Sequence, residues 1–420
     1  MLHRVPLAAA VLVVLVLHAP PVRSEPAREI RAIWVTRWDF RTRDDVQRAV
    51  EGCAALGFNR IYFQVRGRAD AFYRSALEPW GEELGGRDPG FDPLEVAIAA
   101  SRARGVELHA WINVLTGWKG KRPPRSPRHV YHRHPDWFLL DRYGKRQLLD
   151  SHYTILNPCR AEVRRHIVSV VTDIARRYPV DGVHLDYIRF VAEGAKARQA
   201  VPYDRPTLAA FRRLTGGFPT RYPVQWNNFR RQAIDSLVAE ISRSVRAVRP
   251  GTRLSAAVLR DLDRARERYF QDAPAWRTHR WVDELVIMNY ERDHRPFARY
   301  ARTALARGAR PLVCGIGVYL LESPEALRTQ VELARRLGTR GYSVFAYSSF
   351  FSTPSPAARH GSAARRLQAN LRREVQRLNS SAARVRASPA RSPASAASTS
   401  PASTSPASGD SPVSFRFSKR

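Results

Sequence analysis

Residues Val106 to Asn113 read Val-Glu-Leu-His-Ala-Trp-Ile-Asn. Val106, Leu108, Ala110 and Ile112 fall at one parity; Glu107, His109, Trp111 and Asn113 fall at the other. Successive side chains of a β-strand point to opposite faces, so this stretch predicts a strand with one apolar face and one polar, bulky face. Neither face suits bulk water, because Trp111 and His109 share theirs with only one charge. The pattern fits a barrel strand, whose apolar side meets helices and whose other side fills the barrel. Two more stretches repeat it. Over Arg60 to Arg66, Ile61, Phe63 and Val65 oppose Tyr62, Gln64 and Arg66, and over Gly182 to Tyr187, Val183 and Leu185 oppose His184 and Asp186.

Working outward, five further short runs have strand composition: Arg31 to Thr36, Arg253 to Val258, Leu285 to Tyr290, Pro311 to Gly317 and Gly341 to Tyr347. Longer helical patterns separate them, several opening on a capping residue followed by proline: Asp92-Pro93, Asn157-Pro158 and Ser323-Pro324. A last helical pattern covers Ala357 to Leu378. Strands alternating with helices place the chain in the α/β class, and eight of them make a (β/α)8 TIM barrel, predicted as a single domain over 28–378. An open doubly wound sheet is the competitor, but no GxGxxG follows the first strand. Two connections are long, Val114 to Leu156 after the third strand and Ile188 to Val224 after the fourth. In a barrel both emerge at the C-terminal face, where loops build the active site.

The 420 residues carry 70 Lys and Arg against 38 Asp and Glu, a formal net charge of +32. Such an excess attracts polyanions, anionic membrane surfaces and acidic cell-wall polymers. Nucleic acid is not expected, since no binding motif accompanies the scattered arginines. His3 and Arg4 precede an apolar run from Leu7 to Leu17, and Pro20, Pro21 and Ser24 follow. Residues 1–24 therefore read as a signal peptide for export to a periplasmic or extracellular location, with a retained membrane tether as the alternative. Residues 379–420 mix Ser, Ala, Pro and Thr with scattered Arg and Lys, and are expected to be a disordered tail. Cys53, Cys159 and Cys314 lie far apart without metal-ligand spacing, so no metal or other cofactor is expected and buried free thiols are favoured over a disulfide.

The last inward residue of each barrel strand lies nearest the mouth. Parity selects Arg66, Asn113, Asp186 and Tyr290 there, with Gln64, His109, Trp111 and His184 one layer below. Burying charge costs several kcal/mol unless it is paired or reaches water, so Asp186 is either reactive or an ion partner of Arg66 or Arg189. His109 and His184 are either ligand contacts or satisfied core residues. Trp38, Trp111, Trp118, Tyr153, Tyr187, Tyr290 and Tyr347 fall near strand ends, where aromatic faces can stack on the C–H faces of sugars or simply fill a core.

Seven segments in order, Arg31-Ala-Ile-Trp-Val-Thr, Phe58-Asn-Arg-Ile-Tyr-Phe-Gln-Val-Arg, Asp70-Ala-Phe-Tyr-Arg-Ser, Glu78-Pro-Trp, Phe91-Asp-Pro-Leu, Glu107-Leu-His-Ala-Trp-Ile-Asn and Asp181-Gly-Val-His-Leu-Asp-Tyr, carry a family likeness. The chain resembles the glycosyl hydrolase-like 10 family from about Arg28 to about Phe351. The resemblance implies a TIM barrel and, as substrate, a polysaccharide such as the glycan strands of bacterial peptidoglycan. Two departures stand out. Tyr187-Ile188-Arg189 follows Asp186 where many members carry adjacent acids, and Val114-Leu-Thr-Gly-Trp replaces an Asn-Pro-Tyr-Arg pattern. A fainter likeness to chitinase-type barrels places their terminal acid on Ile188, so only Asp186 survives that comparison.

Glycoside hydrolysis requires two carboxyl groups, one to protonate the leaving oxygen and one as nucleophile or base. Asp186 is the first, with Glu291, Asp261 and Asp263 as candidates for the second and Glu291 preferred for its place beside the sixth strand. Substrate contacts are expected from Trp38, Gln64, Arg66, His109, Trp111, Asn113, His184, Tyr187, Arg189, Tyr290 and Tyr347. A glycan-binding barrel without turnover is the alternative function. N-terminal sequencing of exported protein is expected to find Glu25 first; a retained Met1 would mark an anchor instead.

Overall fold

The computed structural model describes residues 28–190, 201–354 and 361–387. The expected signal peptide lies outside these residues, as do 191–200 of the fourth-strand loop and 388–420 of the tail. Eight strands, β1 (Ile30–Val35), β2 (Arg60–Arg66), β3 (Glu107–Asn113), β4 (Gly182–Asp186), β5 (Arg253–Leu259), β6 (Glu284–Met288), β7 (Leu312–Gly317) and β8 (Gly341–Phe345), close into one barrel. Each pairs in parallel with the next, and β8 returns to β1. At that seam Gly341 has φ +147, and a Cβ there would come within 2.0 Å of the Ile30 carbonyl oxygen. Only glycine lets β8 approach β1 so closely.

Helices cover the outside. Helix Ala161–Arg177 buries Val163, Ile167, Val170, Val171 and Ile174, a three-and-four spacing that makes one apolar stripe. Asp92 caps helix Pro93–Arg102 through Leu94 N at 2.9 Å, and Ser323 caps helix Pro324–Arg336 through Ala326 N at 3.3 Å. Asn157-Pro158 behaves differently. Asn157 Oδ1 accepts from Cys159 N at 3.0 Å while its Nδ2 reaches Asp204 and Thr207, so the residue closes a turn and the helix begins later. The loop after β3 folds a small antiparallel hairpin, Thr116–Trp118 against Thr154–Ile155, across the barrel's C-terminal end. All three cysteines are free, and burial pushes the Cys314 thiol up to about 12.

Side chains inside the barrel form layers. At the N-terminal end Arg60 is fully buried, with Nε 2.7 Å from Glu107 and Nη1 bonded to Glu284. Above it, Tyr62 stacks on His184 with ring centroids 3.9 Å apart, and Trp34 Nε1 donates to His184 Nε2 at 3.1 Å. Trp111, Tyr290 and Phe345 surround the top. The mouth therefore has a sealed floor.

The last helix runs from Ser362 to Ala387, past the predicted end of the domain at 378. Asn379 is no tail residue: it is buried, accepts from the Tyr342 hydroxyl and donates to the Leu56 carbonyl at 2.7 Å. A polar side chain that joins β8 to the first helix's end cannot be recognised from a Ser/Ala-rich composition. Truncation after Leu378 is expected to lower stability by about 1–3 kcal/mol through the unpaired Tyr342 hydroxyl and Leu56 carbonyl, whereas truncation after Ala387 should leave the melting temperature unchanged. Equal melting temperatures for the two would show that Asn379 contributes nothing.

Candidate active site

Strand pairing aligns Asn113 with Asp186 at the C-terminal ends of β3 and β4. Asp186 is 5% exposed and faces the aromatic ring of the mouth. Its Oδ1 accepts from Tyr187 N at 2.6 Å and from Arg189 Nη1 at 3.2 Å. Tyr187 has φ 50, a left-handed conformation uncommon for a bulky residue, of a kind that costs about 1–3 kcal/mol and concentrates at functional sites. Burial raises the Asp186 pKa above the ordinary carboxylate range, outweighing the Arg189 charge and the Tyr187 N–H that favour the ionised form. The Trp111 indole N–H also favours the anion, without making a hydrogen bond of ordinary geometry. Beside this carboxylate, burial first and Asp186 second push the Tyr290 hydroxyl well above its usual value, so it remains a neutral donor.

An aromatic and cationic rim continues away from Asp186. Arg189 lies over the Tyr187 ring at 4.4 Å, and Tyr187 meets Tyr153 edge-on at 4.9 Å. Arg37 Nη2 donates to the Tyr153 hydroxyl at 3.2 Å, and its guanidinium covers Trp38 at 3.9 Å. Gln64 belongs here through Arg37, whose backbone N–H it accepts at 3.0 Å. Lys119 sits 5.2 Å from the Tyr153 ring and 6.0 Å from Trp38. The structure thus brings Asp186, Tyr187, Arg189, Trp111, Asn113, Tyr290, Gln64 and Trp38 to the same end of the barrel.

Five others do not join this group. The pairing of β2 with β3 slips between Gln64 and Arg66, so Arg66 pairs with the outward-facing Ile112. A bulge of one residue sends the following side chain to the opposite face. Arg66 therefore leaves the barrel and forms a two-pronged ion pair with Glu78, at 2.8 and 2.7 Å, both side chains fully buried. Its Nη1 donates to the Asn113 and Val114 carbonyls, and His166 completes the group 3.0 Å from Glu78. Arg66 is neither a substrate contact nor the partner of Asp186. His109 and His184 are wholly buried in the lower layers and kept neutral, His109 near 3, by burial first and then by neighbouring charge that includes Arg60. A Cβ at Gly182 would lie 2.4 Å from His109 Nδ1, so glycine there makes room for the imidazole. Tyr347 stacks on Phe351 at 4.6 Å within the outer core, because the chain turns into a 3-10 helix after β8. Glu291 follows β6 and is engaged by Arg260 at 2.9 Å, apart from the Asp186 cluster.

Phe345 and Trp34 take the places that parity left unassigned. Trp34 lies between outward-facing Ile33 and Val35, and Phe345 follows outward-facing Val344, so alternation in β1 and β8 could have found both. Tyr319, 6.1 Å from Tyr290 and from Phe345, lies in a 3-10 turn beyond β7 and carries no such signal.

The glycosyl hydrolase-like 10 family matches residues 29–317, which include seven barrel strands and Asp186. The chain belongs to that family. It is 26% identical over 246 residues to glycosyl hydrolase YngK of Bacillus subtilis, covering 54% of this chain and 44% of that protein. Identity to glycosyl hydrolase DigH of Escherichia coli is 29% over 210 residues, covering 47% of this chain and 43% of the relative. The chain thus matches less than half the length of these curated relatives. The solved β-galactosidase from the psychrophilic Marinomonas ef1 superposes with TM-score 0.59 at 13% identity, over 84% of this chain and 59% of that one. The β-amylase catalytic domain from Paenibacillus polymyxa superposes with TM-score 0.58 at 10% identity, over 84% of this chain and all of that one. At such identities these likenesses are to the fold.

Glu78→Gln is expected to cost about 3–5 kcal/mol of stability, because it leaves the buried Arg66 cation uncompensated. Burial alone would raise the Glu78 pKa, but Arg66 and His166 hold it down to about 2. The stabilisation is therefore present above the ordinary carboxylate range and lost as pH falls towards 2. Chemical denaturation between pH 6 and pH 2 should show that loss in the wild type and much less of it in the variant.

Proposed function

We propose that the chain is an exported glycoside hydrolase acting on a polysaccharide, the glycan strands of bacterial peptidoglycan, by two-carboxylate acid/base chemistry. The observation that carries the reading is Asp186: a buried carboxyl with a raised pKa at the mouth of a barrel belonging to a glycosyl hydrolase-like family. A carboxyl that keeps its proton to higher pH than a free aspartate suits the acid that protonates the leaving oxygen. Arg189 and Tyr187 N–H then stabilise the carboxylate left behind. Glu291, paired with Arg260, is the proposed nucleophile or base. Trp111, Tyr290 and Phe345 offer aromatic faces to a sugar ring, and Asn113 and Arg189 offer polar contacts. The names of the two curated relatives favour a glycan as substrate, and the export expected from residues 1–24 favours one outside the cytoplasm. The formal charge of +32 favours adherence to an anionic wall or membrane surface.

A second reading, glycan binding without turnover, draws on one observation. Among the described residues, the strands' inner faces contribute a single carboxylate, Asp186, to the upper half of the barrel. Incubation with purified peptidoglycan separates the two: new reducing ends mark hydrolysis, and retention without them marks a binder.

Asp186→Asn is expected to lower turnover by about 10² to 10⁴ or more. Because folding raises the Asp186 pKa, its ionisation is a cost to the fold that appears as pH rises through the folded value, and the amide removes that cost. The melting temperature at neutral pH should therefore be unchanged or slightly raised. Wild-type activity should decline on the alkaline side as Asp186 loses its proton. A stable Asp186→Asn protein that releases reducing sugar at the wild-type rate would sink the assignment, and Glu291→Gln would be tested next.

A further inference from the structure

A second concavity, of about 280 Å³, opens between the loop after β2 and the loop after β3. Its size is at the lower edge of the range for small-molecule sites, about 300–1,000 Å³, which suits one pyranose ring. Trp80 and Trp118 both line it, with Glu82, Arg125 and Ser126 on the polar side.

The aromatic walls are fixed in advance. A bridge between Ala71 and Trp80, with Ala71 N to the Pro79 carbonyl at 2.8 Å and Gly81 N to the Ala71 carbonyl at 2.9 Å, holds the backbone under Trp80. Trp118 Nε1 donates to the Arg122 carbonyl at 2.7 Å, and its ring is covered by Arg68 at 4.3 Å. Glu82 accepts from Arg125 N at 2.8 Å and pairs with Arg125 Nε at 3.5 Å, and the pair stays open to the space, with 28% of the Glu82 side chain and 70% of that of Arg125 exposed. An aromatic face, a carboxylate and a guanidinium around one ring-sized space are the groups that recognise a polyhydroxylated ring. The space is also joined to the mouth. Lys119, next to Trp118, lies over Trp38 and Tyr153, Tyr153 meets Tyr187, and Tyr187 adjoins Asp186. Arg68 and Arg37 share Glu83, at 2.8 and 3.2 Å, which ties the two regions into one rigid rim.

We infer that the Trp80–Trp118 pocket is an accessory subsite holding one sugar residue of the polymer, away from the residue at Asp186. This rests on the polysaccharide reading above. A chain engaged at both places is held longer and cleaved at lower concentration, whereas a fragment too short to span them gains nothing.

The test compares Trp80→Ala, which removes the stacking face, and Ser126→Trp, which fills the space, with the wild type. The probes are purified peptidoglycan glycan strands and the disaccharide chitobiose, with binding followed by calorimetry and folding by melting temperature. Both variants should weaken strand binding about tenfold and leave chitobiose binding as it was. Variants with wild-type melting temperatures and wild-type strand affinity would overturn the subsite while leaving the proposed function standing, as would an equal loss for long and short probes. A wild type that binds neither probe would overturn the polysaccharide reading and the subsite with it.

Discussion

The ion pair between Arg66 and Glu78 holds the working end of the barrel together. Both groups are fully buried, so each depends on the other for compensation of its charge. Through Arg66 Nη1 the pair also grips the carbonyls at the end of β3, and through His166 it reaches the helix that precedes β4. The strands that deliver Trp111, Asn113 and Asp186 are thereby fixed relative to one another. The loops after β2 and β3, which carry Trp80, Trp118 and Tyr153, leave from the same clamp. A buried pair of this kind adds little net stability over a well-packed apolar substitute, but its fork geometry admits one arrangement of the groups around it.

Much of this was readable from alternation. All eight strands lie where short β-branched and aromatic runs placed them, within two residues at the ends, because a barrel strand buried on both faces must put its apolar positions against helices. The same rule put Asn113 and Asp186 on the inward face at the ends of their strands, where the pairing aligns them, but assigned Trp111 to the layer below the one it occupies. It failed at Arg66 for a definite reason: parity holds only while the ladder is regular, and a bulge is a pairing event between two strands that neither strand records alone. Tyr347, singled out only as an aromatic near a strand end, packs into the outer core because the strand ends two residues earlier and the chain turns. The rim was the least legible part. Arg37, Lys119 and Tyr153 come from three separate places in two loops, and no local pattern announces that they meet.

Within the barrel the chemistry changes with height. Arg60, Glu107 and Glu284 make an ionic base, and against the upward push of burial His109 first, then Arg60 and Arg253, hold Glu107 below the ordinary carboxylate range. Above them Trp34, Tyr62 and His184 form a neutral, hydrogen-bonded layer, with Ser255 Oγ 2.8 Å from His184 Nδ1. Burial raises a carboxyl pKa at both ends of the barrel, at Glu284 in the base and at Asp186 at the top, and Asp186 is the one at the mouth. Glu107 and Asp186 thus shift in opposite directions because partner groups outweigh burial at the first, whereas burial outweighs Arg189 at the second.

The sealed floor also governs traffic. Tyr62, Trp34 and His184 block the barrel's axis, so nothing passes through it. Whatever reaches Asp186 must enter by the mouth and leave by the same opening, so the barrel works as a cup and not as a tunnel.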